Sequence, residues 1–363
     1  MGDGWDRWAS AAQPEALIYA PASMEAILLV GGLGTRLRPL TDDLPKPLLP
    51  VAGVPLVVHQ IVRARDAGVD HVVLATSYRA EDFTEVLGDG SRFGVRIDYA
   101  VEEEPLGTGG AIRNAARDLR AGADDPVLVF NGDIVDGHDV RAQVKAHIEA
   151  RADATLYLTR VDDPRAYGCV PTNARGTVTA FLEKTPEPVS DQINAGCYVF
   201  RRPVVDAIPA GRAVSVERET FPGLLDAGRA VLGLVDDAYW RDIGTTESYV
   251  QGSADVVLGL VDAPARLGPA GPALVLGGAT VGDGTHLVGG TCVGAGCRVG
   301  ASATMDCSVL MDGVTVGDGA IVRASAIGRG ARIGAGAALD RVVVATGVEV
   351  GPGQRPEPGS RLG

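Results

Sequence analysis

Between residues 281 and 339 the chain repeats on a period that neither helix nor extended strand possesses. Val281, Leu287, Val293, Val299, Met305 and Met311 fall at every sixth position, most of them followed by glycine or a small polar residue, and Ile321, Ile327, Ile333 and Leu339 resume the spacing. A helix buries a stripe at about 3.6 residues and a strand at about two. A six-residue period demands short strands joined by corners, each sending one aliphatic side chain into a narrow core. This is the pattern of a left-handed parallel β-helix, an exception to the right-handed crossover rule. The slip between Met311 and Ile321 predicts one irregular corner or inserted loop.

Upstream of the repeat, Pro264, Pro269 and Pro272 punctuate the stretch VDAPARLGPAGP, which predicts a linker over residues 261–272. The β-helix is then expected over 273–351, with a C-terminal tail over 352–363. Residues 1–23 are expected to be a solvent-exposed tail. Asp3 and Asp6 stand where a signal peptide would be basic, and the apolar piece from Ala16 to Ala20 is short for its core. Residues 24–260 alternate apolar strand and helix. Glu25 to Val30, His71 to Ala75, Arg96 to Val101 and Val127 to Asn131 read as strands; Leu56 to Ala67, Ala80 to Leu87, Thr108 to Leu119 and Val140 to Ala150 read as helices. Shorter strands follow over Ala154 to Val161, Val178 to Glu183, Ile193 to Phe200 and Val231 to Val235, then a helix over Thr246 to Leu260. The fold class is α/β, a Rossmann-like, mostly parallel mixed sheet with helices on both faces, followed by the β-helix.

The first strand runs into Gly31 and Gly32, and the following loop carries Gly34, Thr35, Arg36, Arg38 and, between Pro45 and Pro47, Lys46. Glycines let backbone N–H groups approach an anion, and the cations add fixed positive charge. A Walker loop would need Lys-Ser or Lys-Thr after these glycines. A dinucleotide fingerprint would need a third glycine where Leu37 stands. Downstream, Asp133 ends another apolar strand, where an acid commonly holds Mg²⁺ over a nucleotide. A net charge of −13 argues against nonspecific binding to nucleic acid or anionic membranes. The five cysteines form no Cys-x-x-Cys pair, which suits reduced thiols in a cytoplasm. No apolar run approaches the ~20 residues of a membrane span.

The block GGLGTRLRPLT with PKP resembles the signature of the sugar-1-phosphate nucleotidyltransferases, and with the β-helix the chain is most similar to the mannose-1-phosphate guanylyltransferase group of that family. The resemblance implies that Leu29, Gly31, Gly32, Gly34, Thr35, Arg36 and Lys46 hold a nucleoside triphosphate. It adds the loop LGTGGAI, where Gly107 and Thr108 would grip the base, Thr108 also capping the following helix, and Glu102 would read the base edge. A carboxylate pairs bidentately with guanine's ring N–H and amine but meets a repelling carbonyl on uracil or thymine, so GTP is the favoured nucleotide. The segment YWRDIGT supplies Asp242 as the second Mg²⁺ ligand. Gly168, Glu183, Lys184 and Asn194 match positions that bind the sugar 1-phosphate, with Thr185 replacing the usual proline after Glu183-Lys184. Glu217 and Glu219 read equally as sugar contacts or as helix-start acids.

Two rival functions follow from the same features. Hexapeptide repeats also occur in acyltransferases, but only His286 lies in this region, with no long insertion around it, so the β-helix is expected to be structural and to assemble a homo-oligomer. A non-catalytic regulatory relative would typically lose the cations or the aspartates, whereas Arg36, Lys46, Asp133 and Asp242 are all present.

Overall fold

The computed structural model describes residues 24–363, Leu33, Tyr78, Glu183 and Thr185 excepted; the expected N-terminal tail and Glu183 thus lie outside the described residues. The first domain is built on a seven-stranded sheet. Its strands are β1 (Glu25–Leu29), β2 (His71–Thr76), β3 (Arg96–Val101), β4 (Pro126–Asn131), β5 (Ala154–Arg160), β6 (Gln192–Arg201) and β7 (Val231–Val235), in the order β7-β5-β6-β4-β1-β2-β3. Only β6 runs against its neighbours, β4 and β5. The central strands are apolar on both faces because both are covered. Ala26 and Leu28 of β1 enter one core layer and Ile27 the other, each fully buried.

The chain leaves β1 to build β2 and β3 on one side, then returns to lay β4 on the other. Connections diverge at such a point, which leaves a crevice outside the carboxyl ends of the strands. Of the stretch Val178 to Glu183, expected as a strand, the described residues form only single bridges, Val178 with Thr172 and Leu182 with Cys169. The helix expected over Thr108 to Leu119 runs over Gly107–Ala115.

The C-terminal strands form three parallel sheets of six, five and four short strands, the faces of a left-handed β-helix. The inward residues are Val293, Val299, Met305, Leu310, Val316, Val322, Ile327, Ile333, Leu339, Val344 and Val350. This corrects the expectation of a single slip. One corner of each coil is short by a residue, so the register advances by six, six and five rather than by sixes: Met305 to Leu310, Val322 to Ile327 and Leu339 to Val344 each span five. Cys307, Ala324 and Arg341 turn that corner with φ of 46°, 45° and 53°. Buried hydroxyls stack beside it: Ser308 N–H donates to Thr291, Ser325 N–H to Ser308, and Val342 N–H to Ser325. Met311 points outward and joins the core of the first domain.

The expected C-terminal tail is also corrected. Arg361–Leu362 forms a last strand, paired in parallel with Val343–Val344, because Leu362 packs on the β-helix core. One face of the β-helix, with Cys292, Val309, Ala326 and Val343, shares the core of the first domain through the helix Thr246–Leu258. Among the described residues no helix is long and apolar enough to cross a membrane.

Candidate functional site

Three adjoining cavities line the carboxyl ends of the sheet, with volumes of about 450, 530 and 650 Å³. The first is walled by Leu29, Gly31, Gly32, Gly34, Thr35, Arg36, Lys46, Asn131, Gly132, Asp133 and Gly244. The second shares Leu29, Gly31, Gly32 and Thr108 with it and adds Ser77, Glu102, Glu103, Glu104 and Gly107. The third shares Asn131 and adds Tyr167, Gly168, Lys184, Asn194, Ser215, Glu217 and Arg218. Every candidate residue that is described therefore borders one of these cavities except Asp242, which sits behind Gly244. A Cβ on Gly244 would lie 2.9 Å from Asp242 Oδ2 and 3.0 Å from Arg36 Nη2.

Gly34, at φ 57°, turns the chain into the single helical turn Thr35–Leu37, and its carbonyl accepts from Thr41 Oγ1 at 2.9 Å. Lys46 follows Pro45 in a second such turn. Its ammonium donates to Asp133 Oδ2 at 2.8 Å and lies 3.9 Å from Asp242 Oδ1. Asp133 and Asp242 meet because Ile134–Asp136 and Trp240–Asp242 pair antiparallel, with Asp242 opposite Ile134, and because Ile243 N–H donates to Asp133 C=O at 2.9 Å. Burial and the charge of Asp133 hold the Asp242 carboxyl above its ordinary range, against Lys46 and Arg36. Arg241 fixes the strand from behind by pairing with buried Asp255 at 3.1 Å.

Two facing carboxylates form an all-oxygen donor pair, the kind Mg²⁺ takes while filling its other positions with phosphate and water. Among the described residues no group of three or more His, Cys, Asp or Glu could hold a metal. Beyond burial, the charge of Asp133 helps raise Asp242, and a divalent cation would relieve that repulsion.

Glu102 lines the second cavity, and its Oε2 accepts from Leu106 N–H at 3.2 Å and braces the loop. Burial pushes its pKa up. Gly107, at φ 66°, admits no side chain, since a Cβ there would lie 2.7 Å from Val214 C=O. Thr108 does not cap its helix, which starts one residue earlier with no side-chain cap. Its hydroxyl instead donates to Glu217 Oε2 at 3.0 Å and accepts from Val216 N–H at 2.9 Å.

Glu217 lines the third cavity and Glu219 pairs with Arg212 at 2.9 Å, and both stand in the first turn of the helical segment Val216–Thr220. In the third cavity Asn194 Oδ1 accepts from Gly196 N–H at 3.1 Å, and its amide donates to Tyr198 at 2.7 Å. Tyr167 stands edge-on to Trp240, ring centres 5.5 Å apart. Sequence reasoning missed Ser77, Asn131, Ser215 and Arg218. Ser77 and Asn131 were within reach of the rule that ligands sit where parallel strands end, because each lies at the tip of a strand beside β1; Ser215 and Arg218 carried no signal.

The nucleotidyl transferase profile matches residues 25–257, and the profile of the GMPPB C-terminal domain matches 270–354. A mannose-1-phosphate guanylyltransferase of Mycobacterium tuberculosis is 53% identical over 270 residues, 74% of each chain. Mannose-1-phosphate guanylyltransferase 1 of Arabidopsis thaliana is 37% identical over 72% of this chain and 74% of its own. The structure of HddC from Yersinia pseudotuberculosis complexed with GMP-PN superposes with a TM-score of 0.55 at 28% identity, covering 64% of this chain and 99% of that one. Matched by the nucleotidyl transferase profile over residues 25–257 and 53% identical to the Mycobacterium tuberculosis protein, the chain belongs to the nucleotidyl transferase family, among the mannose-1-phosphate guanylyltransferases.

Proposed function

We propose that this protein transfers GMP from GTP to mannose 1-phosphate, giving GDP-mannose and pyrophosphate. The observation that carries the reading is the position of Asp133, Asp242, Lys46 and Arg36 between a cavity edged by Glu102 and one edged by Lys184 and Asn194. An oxygen of the sugar phosphate attacks the α-phosphorus of the nucleotide in line. The bond from that phosphorus to the bridging oxygen breaks, and its electrons leave with pyrophosphate. No protein nucleophile takes part.

Binding of Mg²⁺ by Asp133 and Asp242 belongs to the same proposal; the ion, when bound, supplies charge neutralisation at the phosphates. Glycine-loop N–H groups and Arg36 hold the triphosphate, Lys46 balances charge beside Asp133, and Lys184 draws in the sugar phosphate. The Glu102 carboxylate accepts from guanine. Lys46, paired with Asp133 and lining the same cavity, meets both the acids and the triphosphate. A cytoplasmic setting suits the free cysteines, and self-association through the β-helix would cover Val275, Val281 and Val288, which its first coil leaves exposed.

Pyrophosphate release measured with GTP, UTP, dTTP and ATP against mannose, glucose and heptose 1-phosphates tests the reading. GTP with mannose 1-phosphate should exceed every other pair. A preference for UTP or dTTP would overturn the guanine assignment, and silence with all pairs would favour a regulatory protein.

A further inference from the structure

The last strand of the β-helix reaches into the phosphate loop. Arg361 Nη2 donates to the Arg36 carbonyl at 2.8 Å, and Nη1 donates to the Arg38 carbonyl. Beside it Gly363 abuts Pro39, where an added Cβ would lie 3.1 Å from Pro39 Cβ. Among the described residues Arg361 is the only β-helix side chain with a hydrogen bond to that loop. We propose that Arg361 is a positioning residue for nucleotide binding, through which the β-helix sets the conformation of the triphosphate loop; this deepens the GTP-dependent reading above and rests on it.

The register explains why the side chain arrives there. Leu362 turns inward to the β-helix core, so Arg361, its neighbour on a strand, must turn outward. A guanidinium is a rigid two-pronged donor, suited to holding two carbonyls at once. The carbonyls of Arg36 and Arg38, once engaged, point toward the β-helix. A carbonyl dipole turned the other way would present its negative end to a triphosphate, so holding both outward keeps the anion's side of the loop electropositive. Arg36 is also the residue whose guanidinium lies against Gly244 and Asp242. A small rotation of its backbone therefore moves a cation relative to both the triphosphate and the acidic pair. The strand itself is held by pairing with Val343–Val344 in the sheet that packs on the first domain. Loop and β-helix are thus one mechanical unit.

The test uses the full chain with Arg361→Ala and Arg361→Lys. For Arg361→Ala the KM for GTP should rise roughly tenfold, since a misplacement of about 1 Å in a binding group costs one to two orders of magnitude. The KM for mannose 1-phosphate and the melting temperature should stay unchanged, because the contact lies on an exposed side chain away from the sugar cavity. Arg361→Lys, with one ammonium for two carbonyls, should recover part of the loss. Calorimetric titration of GTP into wild type and Arg361→Ala gives the same comparison without turnover. Unchanged GTP affinity in Arg361→Ala would overturn the proposal, and so would a fall in melting temperature that tracks equal losses for both substrates. A wild-type protein that binds GTP but transfers nothing would instead overturn the catalytic reading and leave the loop comparison intact.

Discussion

The two domains reach a buried core by opposite means. In the first, seven strands and their helices make two separate layers, and the strands stop together at one edge, where the chain can place whatever residues it needs. In the β-helix each strand gives essentially one side chain to a single-file core, and each coil leans on the next. A layered sheet therefore separates stability from chemistry: the cavities lie at its rim, while the cores lie beneath. A stacked coil has no such division, since every inward residue supports its neighbours above and below.

The sharpest attempt to break this contrast is Asp242→Asn. Removing one of the two carboxylates proposed to bind Mg²⁺ should cost about 4 kcal/mol of transition-state stabilisation, roughly a 10³-fold fall in kcat, read by pyrophosphate release. Stability should not fall. Burial and Asp133 already disfavour the charged form of Asp242, so a neutral isostere relieves repulsion and the melting temperature should hold or rise. An Asn variant that melts early would show that the rim is not separable from the core.

Met305→Ala is the counterpart in the β-helix. Met305 is fully buried in the single-file core, and truncation should cost about 3 kcal/mol. Urea unfolding followed by circular dichroism measures it. At 25 °C, below the transition, kcat should remain within about twofold, because the residue contacts no cavity wall. Loss of activity ahead of unfolding would mean that coil fraying reaches the phosphate loop.

What could be read beforehand follows the same division. The glycine loop, Asp133 and Asp242 each sit in a short contiguous motif at a strand tip, so their local spacing along the chain survives folding. The β-helix could be read as a period for the reason that its geometry repeats. What stayed hidden depends on pieces distant in sequence. Thr108 looked like a helix cap, and only the approach of Val216 and Glu217 reveals that its hydroxyl ties two cavities together. Arg361 belongs to no motif, and its role needs five stacked coils to bring it back to Arg36. The short corner was misread because its three turning residues, Cys307, Ala324 and Arg341, share no side-chain chemistry; they share a left-handed φ and the buried hydroxyl ladder beside it.

A smaller effect should appear in the first domain as a pH dependence. Buried His71 bonds to Glu25 through Nδ1 and to Asp98 through Nε2 at 2.9 Å. The hydrogen bond to Glu25 is the main reason that its pKa lies above the ordinary histidine value, overcoming burial. A raised folded pKa gives stability that is complete below the unfolded value, near 6.5, and is lost as pH rises through the folded one. Unfolding free energy should therefore decline above pH ~6.5. His71→Gln should flatten that decline while lowering stability on the acid side; an unaltered pH profile would remove His71 as its source.

The smallest test concerns the left-handed corner. Ala324 at φ 45° bears the steric penalty of an L-residue in that region, about 1 kcal/mol, which glycine escapes. Glycine also loosens the unfolded chain by about 0.5–1 kcal/mol, so Ala324→Gly should gain at most about 0.5 kcal/mol. The same exchange at Arg79, one of three described first-domain residues other than glycine in that region, at φ 68°, should go the other way. Its guanidinium donates to Asp82 and to the carbonyls of Asp42 and Asp43, and Arg79→Gly discards these contacts for the same backbone relief, a net loss of about 1 kcal/mol. Opposite signs in paired urea melts would mean that the β-helix holds its unusual backbone by stacking and the sheet domain by side chains. A loss at both positions would mean that Ala324 contributes packing at the corner that its small side chain conceals.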